Sequence, residues 1–370
     1  MKARGAVVHS VGEQWMVEDL EVSDPGEQEV RVKVMASGLC HSDDHFVTGD
    51  LAVKLPMVGG HEGAGIVEAV GAKVTRVQAG DRVSTLFIPA CGTCRYCSRG
   101  MQYICNNGAG METGMSMDGT ARFFTNDGGG IGGVCRLGTF SNYLVCHESQ
   151  TIKLPEDIPF DVACLVSCGV ATGWGAAVNG GDIHAGDVVM VLGAGGVGMN
   201  AVQGARHAGA DHVLVVDPVA FKREQAPAFG ATESFASIDD ARGRVAQLTN
   251  GQGVDVAIVT VGRVDGDIVG SAFDVVGKAG RCVLVAVGSS DKHIATSPQD
   301  FTNLAKTLRG VMYGNCNPTS DIPRLLQMYR DRRLKLDELI TRRYALAEIN
   351  DAFADMHAGR NLRGVLMHEH

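Results

Sequence analysis

The apolar positions change their period twice along the chain. From Met1 to about Val170 they fall in short runs, Val30 to Met35, Gly65 to Val70, Arg82 to Phe87 and Ser141 to Val145, separated by glycine-containing breaks. That texture predicts a rolled or barrel-like, β-rich domain. From about Ala171 to Met312, apolar runs of strand length alternate with helical stretches. Val188 to Leu192, Val213 to Val216, Val254 to Val261 and Cys282 to Val287 read as strands. Between them lie a helix rich in small residues (Ala201, Gly204, Ala205, Ala208), a helix at Phe221 to Phe229 with a kink or early stop at Pro227, and a helix at Asp267 to Val276. The alternation predicts an α/β, doubly wound parallel sheet. The tail from Tyr313 reads as helices at Ile322 to Arg332 and Ala347 to His357, closed by RGVLMHEH, a strand able to return to the first domain. The predicted organisation is therefore 1–170, 171–312 and 313–370. Asn106 to Gly138 lacks periodicity and reads as long loops.

Length and charge narrow the class. A chain of 370 residues supports two cores. Its hydrophobic fraction of 45% with 20% charged residues is that of a globular protein. No uninterrupted apolar run approaches the roughly 18 residues of a membrane helix, and MKARGAVVHSVGEQW lacks the apolar core of a signal peptide. No membrane partner is expected, and the cytoplasm is the expected location. The net charge of -9, without a basic cluster of five or more, argues against nucleic acid, and Arg330 to Lys335 reads as a solvated helix face.

The run VVMVLGAGGVGMNAVQGARHAGADHVLVVD, Val188 to Asp217, carries the first chemistry. Gly193, Gly195 and Gly198, with Gly196 and Val197 between them, form G-x-G-x-x-G at the end of an apolar strand and the start of a helix. There the glycines permit the tight turn, the approach of a pyrophosphate and close helix packing. Asp217 ends the second strand, where a carboxylate accepts a ribose 2′-hydroxyl and repels a 2′-phosphate, so NAD is favoured over NADP. This is the nucleotide-binding pattern of a Rossmann domain.

Eleven cysteines in a chain without export features point to metal or thiolate chemistry rather than disulfides. Cys91, Cys94, Cys97 and Cys105 stand at C-x2-C-x2-C-x7-C, a spacing suited to one closed, structural Zn²⁺ site; an iron–sulfur cluster is the lesser alternative. A scattered set, Cys40 in GLCHSDDH, His61 with Glu62 in GGHEGAG, and Cys168 in VSCGVATGWG, would leave the open fourth position of catalytic zinc. Spacing alone supports that set weakly, since buried Cys and His more often fill cores.

GLCHSDDH, GHEGAGIVEAVG, the four-cysteine lobe, SCGVATGWG and GAGGVG occur in the order found in zinc-dependent medium-chain alcohol dehydrogenases, and the resemblance spans essentially the whole chain. VVDPVAFKRE, KLDELITRRY and RGVLMHEH resemble the actinobacterial nicotinoprotein branch, which is assayed with N,N-dimethyl-4-nitrosoaniline and keeps its NAD bound. The resemblance implies a GroES-like β-rich catalytic domain built from both termini, with the Rossmann sheet inserted between them. It implies two Zn²⁺ per chain, NAD, a small alcohol or aldehyde substrate, and a homodimer or homotetramer.

By that resemblance Cys40, His61 and Cys168 hold catalytic zinc, Glu62 sits behind it as a supporting carboxylate or transient ligand, and Asp43 orients His61. Ser42 would take the alcohol proton and pass it through the cofactor ribose to His45 at the surface. Thr172 would lie near the nicotinamide, Lys222 near the adenosine ribose, and His41 and Arg363 at the pyrophosphate. Many relatives carry Arg at the position of His41, and neutral imidazole holds phosphate less strongly than guanidinium. Glutathione-dependent formaldehyde dehydrogenases carry arginine four residues after the last lobe cysteine, where this chain has Ala109. A thiol-adduct substrate is therefore disfavoured, and a non-catalytic zinc and nucleotide binder is opposed by the complete ligand trio. Cys135 is expected at the substrate channel; Cys146, Cys164, Cys282 and Cys316 are expected to pack as small apolar groups. The sheet edge at Cys282 to Val287 is the expected subunit interface.

Overall fold

The computed structural model describes residues 1–370, in two compact units. Unit 1 comprises Met1–Cys168, Asn317–Ala358 and Arg363–His370; unit 2 comprises Gly169–Cys316 and Gly359–Leu362. The tail is thus not wholly a return to the first unit, because Tyr313 to Cys316 and Gly359 to Leu362 belong with the second.

Unit 2 is a six-stranded parallel sheet in the order Glu233–Phe235, His212–Val216, Val188–Leu192, Val254–Val259, Val276–Leu284, Thr307–Gly310. Counted along the chain this is the 3-2-1-4-5-6 order of a Rossmann domain. The central strand Val188–Leu192 is buried at every position, as its unbroken apolar run requires when helices cover both faces. The order reverses between Val188–Leu192 and Val254–Val259, and the glycine turn lies at the carboxyl end of the first of these, the position at which sheets of this kind take ligands. Two sequence expectations change here. Cys282 to Val287 is not an edge: its strand, Val276–Leu284, pairs on both sides, and the outermost strand is Thr307–Gly310. The helix predicted at Phe221 to Phe229 becomes Ala220–Gln225 followed by a 3₁₀ turn, Ala226–Phe229, which accommodates Pro227.

Unit 1 combines a small closed barrel with a larger sheet. The barrel joins Lys2–Val8, Met16–Val22, Phe123–Phe124, Gly130–Gly133 and Met57–Val58. The stretch Asn106 to Gly138, read as loops, therefore supplies two barrel strands; they are too short to show a period of two. The larger sheet runs Thr151–Lys153, Arg82–Thr85, Glu62–Val70, Glu29–Gly38, Arg363–Met367, Ile340–Ala345, with Tyr143–His147 also paired to Glu29–Gly38. The closing strand does return, with Val365 opposite Gly38 and Met367 opposite Ala36. Around Trp15, Phe140 and Phe353 pack by edge and stacked contacts in a core that includes Leu39, Tyr344 and Leu366.

One helical run escaped the sequence reading. Phe160–Gly180 alternates α turns with two π turns, Val166–Val170 and Ala176–Gly180. By length and composition it passes for a membrane span, against the sequence expectation that nothing does, yet 83% of its most apolar window is buried within the chain. Being apolar all round, it shows no amphipathic stripe.

Candidate active site

Three separate elements bring one donor set together in unit 1. Strand Glu29–Gly38 leads to Cys40, which caps the helix His41–Thr48. His61 and Glu62 open the strand Glu62–Val70, and Cys168 projects from the π turn Val166–Val170. A π turn adds one residue to the helical repeat and re-aims its side chains, which is why such turns recur at functional sites. One donor atom from each of Cys40, His61, Glu62 and Cys168 lies within 4.8 Å of every other. Two thiols, an imidazole and a carboxylate at that spacing suit Zn²⁺.

The electrostatics point the same way. The Cys40 thiol is held well below its ordinary value, first by the hydrogen bond from Cys168, then by His61, so Cys40 ionises first and Cys168 is pushed up. Burial disfavours protonated His61, but Asp43 and Cys40 outweigh it and raise its pKa well above the usual range. Asp43 Oδ1 lies 3.0 Å from His61 Nδ1 and accepts from Gly60 N at 3.1 Å. With Nδ1 so engaged, Nε2 is left to face a metal.

Glu62 makes a buried ion pair with Arg363, a partner 301 residues away. Gly38 makes this possible, since a Cβ there would collide with both Glu62 Oε2 and Arg363 Nη2. Burial pushes the Glu62 carboxyl up to about 7, against the pull of Arg363. Arg363 Nε is buried without a partner, a spare donor of the type that suits a phosphate oxygen. The sequence reading assigned Arg363 to the pyrophosphate alone and missed the ion pair.

The sulfurs of Cys91, Cys94, Cys97 and Cys105 also lie within 4.8 Å of one another. The Cys91–Cys97 and Cys94–Cys105 separations are 3.8 and 3.9 Å. Zn–S bonds of about 2.3 Å at tetrahedral angles require S···S edges of about 3.8 Å, so the cradle fits zinc. Cys94 N and Cys97 N point at the sulfurs of Cys91 and Cys94 at 3.4 and 3.5 Å, which favours thiolates. Burial alone would raise Cys94, but main-chain donors from Cys97 and Asn106 bring it down to about 6; Cys97 is pushed up to about 12 by burial.

In unit 2, Gly193 has φ +94°, and Gly198 packs so closely that a Cβ would strike the Gly193 carbonyl and Thr260 Oγ1. Thr260 Oγ1 lies 2.9 Å from the carbonyl oxygens of both Leu192 and Gly193, and its single O–H, shared between them, ties the turn. A Cβ on Gly195 would meet no atom within 4 Å, so space is free beside the N-terminus of the helix Gly196–Ala208, where Gly196 and Val197 offer main-chain N–H groups to an anion. Asp217 is buried, with Oδ2 accepting from Ala194 N at 2.7 Å and Oδ1 from Val219 N at 2.9 Å. Each oxygen keeps lone-pair capacity for a ribose hydroxyl. Lys222 is half-buried on Ala220–Gln225, while Arg223 donates to the carbonyls of Asp217 and Pro218. Thr172 Oγ1 is buried without a partner, as a group awaiting a polar ligand would be. These features fit a dinucleotide.

Ser42 Oγ lies 3.6 Å from Cys40 Sγ, and half-buried His41 opens the same helix. His45 requires a correction: only 3% of it is exposed, and its Nδ1 lies 3.2 Å from Asp50 Oδ2, so it is an interior group rather than a surface one. The helix His41–Thr48 turns His45 and Phe46 inward together with Asp43, a packing choice that residue type did not signal. Phe46, Met57 and Val134 form a buried apolar cluster, with Leu51, Val53, Leu55 and Cys135 packed against it. Burial raises the Cys135 thiol to about 11, with the charges of His61, Asp43 and Cys40 also felt there.

Residues 26–156 match the family model described as alcohol dehydrogenase GroES-like domain, and residues 196–331 match zinc-binding dehydrogenase. The chain is 47% identical over 369 residues to the NDMA-dependent alcohol dehydrogenase of Amycolatopsis methanolica, covering 100% of this chain and 99% of the relative. It is 44% identical to alcohol dehydrogenase B of Mycobacterium tuberculosis, covering 99% and 98%. Among solved structures, an alcohol dehydrogenase zinc-binding domain protein from Burkholderia ambifaria superposes with a TM-score of 0.93 at 32% identity. Benzyl alcohol dehydrogenase from Acinetobacter calcoaceticus superposes at 0.91 and 29%, and both cover 100% of each chain.

Proposed function

Because the chain belongs to the zinc-binding alcohol dehydrogenase family, we propose that it oxidises alcohols to aldehydes or ketones with NAD as a resident hydride acceptor, regenerated in place by a second substrate. The observation that carries the reading is the convergence of Cys40, His61, Glu62 and Cys168 on one point. Bound zinc would supply a Lewis acid for the alcohol oxygen, and NAD would supply the hydride acceptor. The remaining work falls to side chains.

Arg363 engages Glu62, so Cys40, His61 and Cys168 would hold the metal and leave it free to take substrate. Asp43 fixes the His61 tautomer and raises its basicity as a ligand. Ser42 Oγ, beside Cys40, takes the alcohol proton; buried His45, its Nδ1 turned to Asp50, offers Nε2 as an acceptor further along. In unit 2, Asp217 would select NAD through the ribose hydroxyls, Gly193 to Gly198 would hold the pyrophosphate, Thr172 would meet the nicotinamide end and Lys222 would add a cationic contact; in unit 1, Arg363 Nε and His41 would be donors for a phosphate oxygen. The two thiolate sets require reduced cysteines, which supports a cytoplasmic setting, and all eleven are free. Assembly is as a homodimer or homotetramer.

Retained NAD is tested by turnover without added coenzyme. Desalted protein should oxidise a primary alcohol with N,N-dimethyl-4-nitrosoaniline as acceptor and no NAD in the assay. Turnover that appears only when NAD is added would overturn the resident-cofactor part and leave the dehydrogenase reading in place.

A further inference from the structure

The turn at Val134–Arg136 places two consecutive non-glycine residues in the left-handed region, Cys135 with φ 55° and Arg136 with φ 61°. Such a conformation persists only where its surroundings hold it. Here the holding is visible. Arg136 Nε donates to the Met115 carbonyl at 3.0 Å, Nη1 to that of Asn107 at 2.6 Å and Nη2 to that of Ala109 at 2.6 Å. The guanidinium is thus committed to three main-chain carbonyls of the segment that follows Cys105, the last cysteine of the lobe. Gln150 Nε2 fastens the other side by donating to the Cys135 carbonyl at 3.0 Å.

The two residues just before Arg136 face inward. Val134 and Cys135 belong to the buried apolar cluster with Phe46, Met57, Leu51, Val53 and Leu55, and Cys135 lies close enough to the donor set to feel the charges of His61, Asp43 and Cys40. Arg136 itself is a poor wall residue and a poor anion receptor, since its three kinds of donor nitrogen are all occupied. We infer that Arg136 is a positioning residue for substrate specificity: its three-carbonyl clamp holds Val134 and Cys135 in place as the wall against which the apolar body of a bulky alcohol packs. The inference rests on the alcohol dehydrogenase reading and deepens it, by assigning the site to alcohols with an apolar or aromatic body rather than to anionic thiol adducts.

Hydrogen bonds from one planar fork to residues 107, 109 and 115 fix both the position and the direction of the turn, which a single contact would not. A short alcohol barely reaches the wall and should not register its displacement, whereas an aromatic alcohol should lose packing directly.

The test compares Arg136→Met, Arg136→Gly and Arg136→Lys with the wild-type holoenzyme, using benzyl alcohol and ethanol. Arg136→Met should raise KM for benzyl alcohol about tenfold, with kcat and the ethanol KM within about twofold and zinc content unchanged. Arg136→Gly relieves the left-handed strain but loses the clamp, so it should behave like Met; Arg136→Lys should recover part of the loss. Equal changes for both alcohols, or a wild-type KM in the Gly and Met variants, would overturn the proposal. A separate arm needs no activity: hydrogen exchange of peptides covering 106–117 and 130–137 should accelerate in Arg136→Met. Unchanged protection would refute the clamp. If the wild type oxidises no alcohol while carrying full zinc, the functional reading fails, and the exchange arm still decides whether the clamp exists.

Discussion

Replacing Asp217 with Asn removes a charge while keeping the shape, and the structure allows the consequence to be sized. Both carboxylate oxygens are pinned by main-chain donors, Ala194 N at 2.7 Å and Val219 N at 2.9 Å, so the side chain cannot turn away from whatever ribose group is presented to it. Hydrogen bonds to a charged acceptor contribute about 1.5–3 kcal/mol and neutral ones about 1 kcal/mol, so neutralising the acceptor of a ribose diol should cost about 2 kcal/mol. That corresponds to roughly 30-fold weaker NAD binding. The same change removes the charge that repels a 2′-phosphate, so the NADP to NAD affinity ratio should rise by more than that factor. Asn also presents one amide nitrogen where Asp217 has two acceptors, so one main-chain N–H loses its partner. If this is buried Ala194, about 1–3 kcal/mol of stability is lost as well, which a melting curve records separately from affinity. The assay is nucleotide stoichiometry after desalting, followed by titration of stripped protein with NAD and NADP. Full NAD retention and unchanged preference in Asp217→Asn would refute the ribose assignment.

Three further predictions follow from the same reasoning. Cys168→Ser should abolish turnover with the fold intact; retained activity at normal zinc content would remove Cys168 from the ligand set. Cys97→Ser should cost one zinc per chain and lower the melting temperature by at least ~5 °C, because a closed thiolate site contributes folding energy; an unchanged melt with two zinc ions would contradict the structural site. Burial holds His368 down to about 4, below its ordinary 6.5, with Nε2 against the Thr139 carbonyl and Ser37 Oγ, both at 3.1 Å. The unfolded chain therefore binds more protons between these values, so stability is fully present above pH 6.5 and falls by about 3 kcal/mol as pH drops towards 4. His368→Gln should flatten that part of the stability–pH curve, and an identical slope in the two proteins would rule it out.

The sequence disclosed the two kinds of site unequally. The four-cysteine lobe was legible from spacing, because its ligands lie within 15 residues, and the glycine turn with Asp217 was legible because strand, turn, helix and acid are contiguous. Cys40, His61 and Cys168 were not legible from spacing. They meet only after strand pairing and a π turn have brought distant segments together, so they needed the family resemblance. The Glu62–Arg363 pair was beyond pattern reading for the same reason, and Gly38, whose missing side chain makes room for it, looked like any strand-end glycine. Helix Phe160–Gly180 was missed because burial on all sides erases the stripe that marks a helix. Strand Thr307–Gly310 was missed because four residues with no fully buried position show no alternation. His45 was misplaced because its burial is set by how its helix packs, not by its residue type.

One chain should hold two metal centres and keep its nucleotide. Elemental analysis of the desalted protein, with absorbance of the supernatant after denaturation, measures both at once. The expected result is two zinc ions and one NAD or NADH per chain, in keeping with the two donor sets and the glycine turn anchored by Asp217. Protein with two zinc ions but no nucleotide would contradict the resident cofactor, and fewer than two zinc ions in fully folded protein would contradict the reading of the metal sites.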